Sequence, residues 1–132
     1  MQIMQDRRNL HRSPELDRDL PKTLEYLKES LKGLSCRVFS PMDGALCAYF
    51  DFGRESTIAF RSDADALPIM ERSRIDFASE HPGKMHACGH DAHIVNGLGA
   101  AKLLKDHLDQ WQGKVKLLKN NQTRESDTNF ER

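Results

Sequence analysis

The chain has 132 residues and a formal net charge of zero, since 20 lysines and arginines balance 20 aspartates and glutamates. This length allows one domain at most, and the neutral charge excludes a general attraction to nucleic acid or to an anionic membrane. We therefore expect a small-molecule partner. No apolar run approaches the roughly twenty residues of a membrane span, and the start lacks the apolar stretch of a secretory signal, which predicts a cytoplasmic protein.

Two helices are predicted in the first third of the chain. The first ends before Pro14, because proline disfavours helical geometry in the residue that precedes it. The second begins at Pro21 and is amphipathic, with four leucines in one stripe at helical spacing. Such a stripe is typical of core packing, and a partner groove is the rarer alternative. The stripe consists of Leu24, Leu27, Leu31 and Leu34.

The middle of the chain has the pattern of an α/β domain. Three strand-like segments, 36–39, 45–52 and 57–61, are separated by turn signals. The middle pair is predicted to form a hairpin. A helix rich in Gly and Ala over 94–108 and a short strand over 114–118 follow. This order of strand, helix and strand predicts at least one parallel crossover.

Residues 85–93, MHACGHDAH, contain one thiol, three imidazoles and one carboxylate. Thiolates and neutral imidazoles are ligands that zinc and neighbouring metals prefer. Gly89 allows a tight turn that aims Cys88 and His90 at one point. The segment therefore predicts a metal site with Cys88 and His90 as ligands. His86 and His93 are weaker candidates, because single histidines near a helix start more often cap or pack.

Two carboxylates, Asp63 and Asp65, follow the third strand. In an extended segment this spacing points both side chains to the same side, which makes them a candidate functional pair. The alternative is a solvated turn in which they bond to local backbone, and composition alone favours that turn. Asp63, Asp65 or Asp91 could also accept a hydrogen bond from His90 and so orient a metal-binding imidazole.

Four features occur in order along the chain: HRSPEL, RSDADALPI, MHACGHDAH and the Gly/Ala-rich helix. Together they resemble the metal-dependent amidohydrolases that include hippurate hydrolase, N-acyl-amino-acid deacylases and the plant auxin-conjugate hydrolases. Over residues 1–118 the resemblance implies part of an aminopeptidase-like α/β catalytic domain, an incomplete mixed sheet flanked by helices. It also implies two divalent ions, manganese or zinc, that activate water for attack on the amide of an N-acyl amino acid.

The resemblance extends to individual residues. By position, Cys88 and His90 match two metal ligands of the family. Asp65 matches the catalytic aspartate that supports the metal centre, and Asp63 lies where related enzymes place a ligand or its substitute. The motif leaves two roles open for Asp91 and His93. Each could support a metal ligand or contact the substrate.

The chain departs from the family after about Leu118, where paired glutamates that supply the general base and a further ligand are expected. Residues 119–132 instead form a polar tail, predicted to be disordered and unrelated to the family. We therefore expect an amidohydrolase fragment that is inactive alone. The alternatives are a hydrolase completed in trans by another polypeptide, and a non-catalytic metal-binding or interaction module. An exposed sheet edge also predicts self-association.

Overall fold

The structure, a computed structural model, describes residues 2–120. From position 121 onward, the predicted polar tail lies outside the described residues. Within them the chain forms three helices and four strands. In chain order these are α1 (Gln2–Arg12), α2 (Pro21–Leu31), β1 (Arg37–Phe39), β2 (Leu46–Asp51), β3 (Thr57–Asp63), α3 (His90–Asp106) and β4 (Lys114–Asn120).

The first two helices follow from local sequence signals. α1 ends two residues before Pro14, and α2 has a proline in its first turn, where no backbone donor is needed. Glu15 accepts hydrogen bonds from the backbone N–H groups of Lys22 and Thr23, which satisfies two donors at the start of α2. The leucine stripe packs into the core as predicted, with three of its four members buried and the fourth partly buried.

The four strands form one mixed sheet in the order β1-β2-β4-β3. β1 and β2 form an antiparallel hairpin. β2 and β3, although consecutive, do not pair, because β4 lies between them, antiparallel to β2 and parallel to β3. The unit β3-α3-β4 is therefore the predicted parallel crossover. β4 also continues two residues beyond the predicted end, so Lys119 and Asn120 belong to the sheet.

The helices pack against one face of this sheet. Alternating residues of β2, Leu46, Ala48 and Phe50, join Leu117 of β4 in a core cluster with apolar residues of all three helices. The predicted α/β architecture, a mixed sheet flanked by helices, is confirmed. Within residues 2–120, no helix is both long and apolar enough to cross a membrane.

The third helix begins four residues earlier than the apolar pattern predicted. Gly89 precedes it with a φ of 82°, a left-handed conformation that glycine adopts without steric cost. The first turn, from His90 to His93, is polar, so the periodic apolar signal begins only at Ile94. His90 consequently belongs to α3 rather than to the preceding loop.

Candidate metal site

Three potential metal ligands converge where β3 ends and α3 begins. Asp63 is the last residue of β3, and His90 and His93 lie in the first turn of α3. One ligand atom of each lies within 4.8 Å of the other two. Residues three apart share a helix face, and the two imidazole rings stack with centroids 5.4 Å apart. Among residues 2–120, no second group of at least three His, Cys, Asp or Glu converges in this way.

Asp65 holds His90 from the other side of the ring. Nδ1 of His90 lies 2.8 Å from the backbone oxygen of Asp65 and 3.0 Å from its Oδ1. With Nδ1–H donating to these oxygens, Nε2 carries the free lone pair, and it lies 3.9 Å from Oδ2 of Asp63. Metal-binding histidines characteristically donate their second N–H to a carboxylate or a carbonyl. The two aspartates therefore lie on opposite sides of one imidazole.

The donor set fits a divalent cation. One carboxylate and two neutral imidazoles are ligands that zinc accepts and that manganese tolerates. The side chains of Asp63 and His90 are 22% and 16% exposed, and His93 is exposed, so solvent reaches the group. Three protein ligands with access for water match the pattern of catalytic rather than structural sites.

Cys88 and Asp91, both predicted from the sequence, lie outside this group. Cys88 is exposed in the turn before Gly89, and its role as a ligand stays a prediction. Asp91 is fully buried, and its carboxylate is bonded to α1 rather than to His90. Oδ2 of Asp91 lies 2.8 Å from Nε of Arg7 and 2.7 Å from Nδ1 of His11.

A buried polar network beneath the site was not predicted. His11, only 2% exposed, bonds to Asp91 through Nδ1 and to Glu71 through Nε2, at 3.1 Å. Burial raises the pKa of Glu71, but hydrogen bonds from Ser73, the backbone of Ser79 and His11 outweigh this and hold the pKa below its usual value. The sequence pattern assigns no role to His11. The one signal for a role is that His11 begins HRSPEL, one of the motifs shared with the family.

His86 lies beside this network and not in the metal group. It is 3% exposed, and neither ring nitrogen has a hydrogen-bond partner among residues 2–120. Its ring centroid is 6.3 Å from that of His11. Burial, with smaller contributions from nearby charges, lowers the pKa of His86 to about 4, so the ring is neutral at pH 7.

Lys119 contacts the site from β4. Its ammonium group donates to the backbone oxygen of His93, at 3.1 Å, and to the hydroxyl of Ser62. The residue is 6% exposed, and burial lowers the pKa of Lys119 to about 8. From the sequence, this residue was predicted to belong to the polar tail.

Residues 59–120 match the model of peptidase family M20/M25/M40. The chain is 41% identical over 119 residues to the N-acetyl-L-cysteine deacetylase of Bacillus subtilis, covering 89% of this chain and 29% of that protein. It is 42% identical over 113 residues to the IAA-amino acid hydrolase ILR1-like 5 of Arabidopsis thaliana, covering 85% and 26%. The chain thus spans less than a third of the length of these relatives.

Solved structures agree with the sequence matches. The YXEP protein of Bacillus subtilis, a dinuclear metal binding peptidase from the M20 family, has a TM-score of 0.81 and 35% identity, covering 89% of this chain and 33% of that one. An aminobenzoyl-glutamate utilization protein from Klebsiella pneumoniae, at 21% identity, shares the fold with a TM-score of 0.68, covering 89% and 36%. The predicted resemblance to the metal-dependent amidohydrolases is confirmed, and residues 59–120 carry the match to peptidase family M20/M25/M40.

Proposed function

We propose that the chain carries a metal-binding part of an amidohydrolase that cleaves the amide bond of N-acyl amino acids. The observation that carries this proposal is the convergence of Asp63, His90 and His93, with Asp65 behind His90. The names of two relatives, an N-acetyl-L-cysteine deacetylase and an IAA-amino acid hydrolase, support the substrate class.

Each residue of the site has a separate task in this proposal. A manganese or zinc ion, when bound, lowers the pKa of water and polarises the scissile carbonyl. Asp63 offers a carboxylate oxygen, and His90 and His93 each offer an imidazole nitrogen. Asp65 fixes the tautomer and the orientation of the His90 ring by accepting from Nδ1–H. The family motif also makes Cys88 a candidate ligand, which a Cys88→Ser variant tests through metal affinity.

We expect the isolated chain to hydrolyse N-acyl amino acids at close to the background rate. Asp65 is bonded to His90, and Asp63 serves as a ligand, so neither is free to take a proton from water. The sequence contains no two adjacent glutamates. Without a positioned general base, a reaction of this kind loses a factor of roughly 10² to 10⁴ in rate.

A chimera tests the proposed function. Residues 2–120 replace the matching segment of the Bacillus subtilis N-acetyl-L-cysteine deacetylase, and hydrolysis of N-acetylcysteine is measured with manganese. We expect turnover, a loss of at least about 100-fold with His90→Ala, and little change with His107→Ala, an exposed histidine just after α3. A chimera that folds and binds metal but does not hydrolyse the amide contradicts the proposal and favours a non-catalytic metal-binding module.

A further inference from the structure

Lys119 is a buried cation that has no oppositely charged partner in the described part of the chain. Its two hydrogen bonds go to neutral groups, the hydroxyl of Ser62 and the backbone oxygen of His93. Within residues 2–120, it forms no salt bridge with an aspartate or a glutamate. Burying an ammonium group is costly unless an anion compensates for the lost hydration. The described part of the chain does not supply that anion.

The side chain of Lys119 lies at the wall of an open cavity of about 370 Å³ between β3 and α3. Most of the exposed lining is apolar, and Phe60, Ala100 and Leu117 contribute to it. Arg61 also lines the cavity, but its guanidinium group is paired with Asp63 at 2.8 Å. His93 also lines this cavity, so the cavity is continuous with the candidate metal site. A ligand here can contact apolar side chains, the ammonium group of Lys119 and His93, one of the three candidate metal ligands.

Gly97 of α3 makes room for the ammonium group. A Cβ at position 97 would collide with Nζ and Cε of Lys119, so the lysine tip occupies the space that any other side chain would fill. The absence of a side chain at position 97 lets the charge sit against the helix, at the edge of the cavity. A Gly97→Ala substitution should therefore displace the ammonium group of Lys119 without removing its charge.

We propose that this cavity binds the carboxylate of an N-acyl amino acid, with Lys119 as its cationic partner and the apolar wall around its side chain. The choice of this ligand rests on the proposed function, because His93 belongs both to this cavity and to the metal site proposed to act on the amide. A carboxylate supplies the missing opposite charge and accepts charge-assisted hydrogen bonds, which an amide in its place cannot match.

The test compares two probes that differ at one group, N-acetyl-L-phenylalanine and N-acetyl-L-phenylalaninamide. Binding to the full-length chain is measured by NMR titration in the presence of EDTA. We expect the acid to bind roughly tenfold or more tightly than the amide, because only the acid pairs with the ammonium group. Equal affinity for the two probes overturns the proposal, as does the absence of acid binding at millimolar concentration.

Variants identify the residue responsible. Lys119→Met, which removes the charge, and Gly97→Ala, which displaces it, should both reduce acid binding to the level of the amide. Lys116→Met is the matched control, because Lys116 is exposed on the other face of β4, and it should bind like the unmodified chain. A Lys119→Met chain that melts cooperatively and binds the acid unchanged contradicts the proposal.

The chelator separates this test from that of the proposed function. Without metal, the measurement reports on the cavity alone, so a negative result leaves the chimera experiment unaffected. Conversely, an inactive chimera would contradict the proposed function, but it would leave the measured difference in affinity between the acid and the amide valid.

Discussion

His90 is positioned by two aspartates that precede it by more than twenty residues. Their spacing, two residues apart in an extended segment, predicted that Asp63 and Asp65 could act together, but composition alone favoured a solvated turn. The structure places them on opposite sides of one imidazole, at 3.9 Å and 3.0 Å. This contact is tertiary, so no local pattern could distinguish the two interpretations.

The place of His93 in the candidate metal site was harder to predict than that of His90. The sequence favours Cys88 instead, because a thiol two positions from a histidine is a strong local signal for metal binding. His93 became a candidate ligand because α3 begins at His90, which places residues 90 and 93 on the same helix face. Because the first turn of α3 is polar, apolar periodicity in the sequence does not reveal that the helix begins at His90.

The contact between Asp65 and His90 gives a prediction for metal affinity. Asp65→Ala removes one acceptor for Nδ1–H, and loss of such a partner weakens metal binding roughly 10- to 100-fold. We expect a value near tenfold, because the backbone oxygen of Asp65 still accepts at 2.8 Å. Calorimetric titration with zinc measures this, with the exposed Asp109→Ala as control. Unchanged affinity would show that Asp65 does not orient the ring.

At the level of elements, α1 is bonded to the start of α3 through buried polar contacts. Arg7 and His11 both reach Asp91, the second residue of α3, across about eighty positions of sequence. The helix itself was predictable, because Pro14 marks its end. Its bonding partners were not, because Arg7 and His11 look like ordinary polar residues of an amphipathic helix.

Asp6 makes a second connection among the helices. Its carboxylate, 2% exposed, accepts hydrogen bonds from Tyr26 of α2 at 2.7 Å and from Lys102 of α3 at 3.3 Å. Burial raises the pKa of Asp6, but these bonds and one from Gln2 outweigh it and hold the pKa below its ordinary value. The ionised form therefore stabilises the fold.

Stability should depend on pH through this residue. A depressed folded-state pKa contributes stability above the unfolded pKa, and that contribution is lost as the pH falls through the folded value. Asp6→Asn should therefore lower the free energy of unfolding by about 1.5–3 kcal/mol at pH 7. The difference from the unmodified chain should shrink below about pH 4. Urea denaturation at several pH values measures this, and a difference that grows on acidification would contradict it.

For the whole molecule, the sequence predicted the class of fold but not the order of the strands. Alternating strand and helix signals are local, and they correctly indicated the crossover through α3. The insertion of β4 between β2 and β3 depends on contacts between segments more than fifty residues apart. Loop closure and packing decide such pairings, and neither is visible in periodicity.

This topology leaves β3 at the edge of the described sheet with two large apolar residues exposed. Ile58 is 59% exposed and Phe60 is 62% exposed. Edges of this kind can pair with a second copy, so self-association remains a prediction. Ile58→Lys should lower the average mass in sedimentation equilibrium, whereas Leu108→Lys, beyond α3, should not. A chain that is monomeric at all concentrations would contradict it.

Divalent-metal binding by the full chain tests the central claim most directly. Manganese and zinc are titrated calorimetrically into the unmodified chain, His90→Ala and the control His107→Ala. We predict about one ion per unmodified chain, because one ligand group converges within residues 2–120. His90→Ala should lose at least tenfold in affinity, and His107→Ala should bind normally. Equal affinity for His90→Ala and the unmodified chain would contradict a metal site at the junction of β3 and α3.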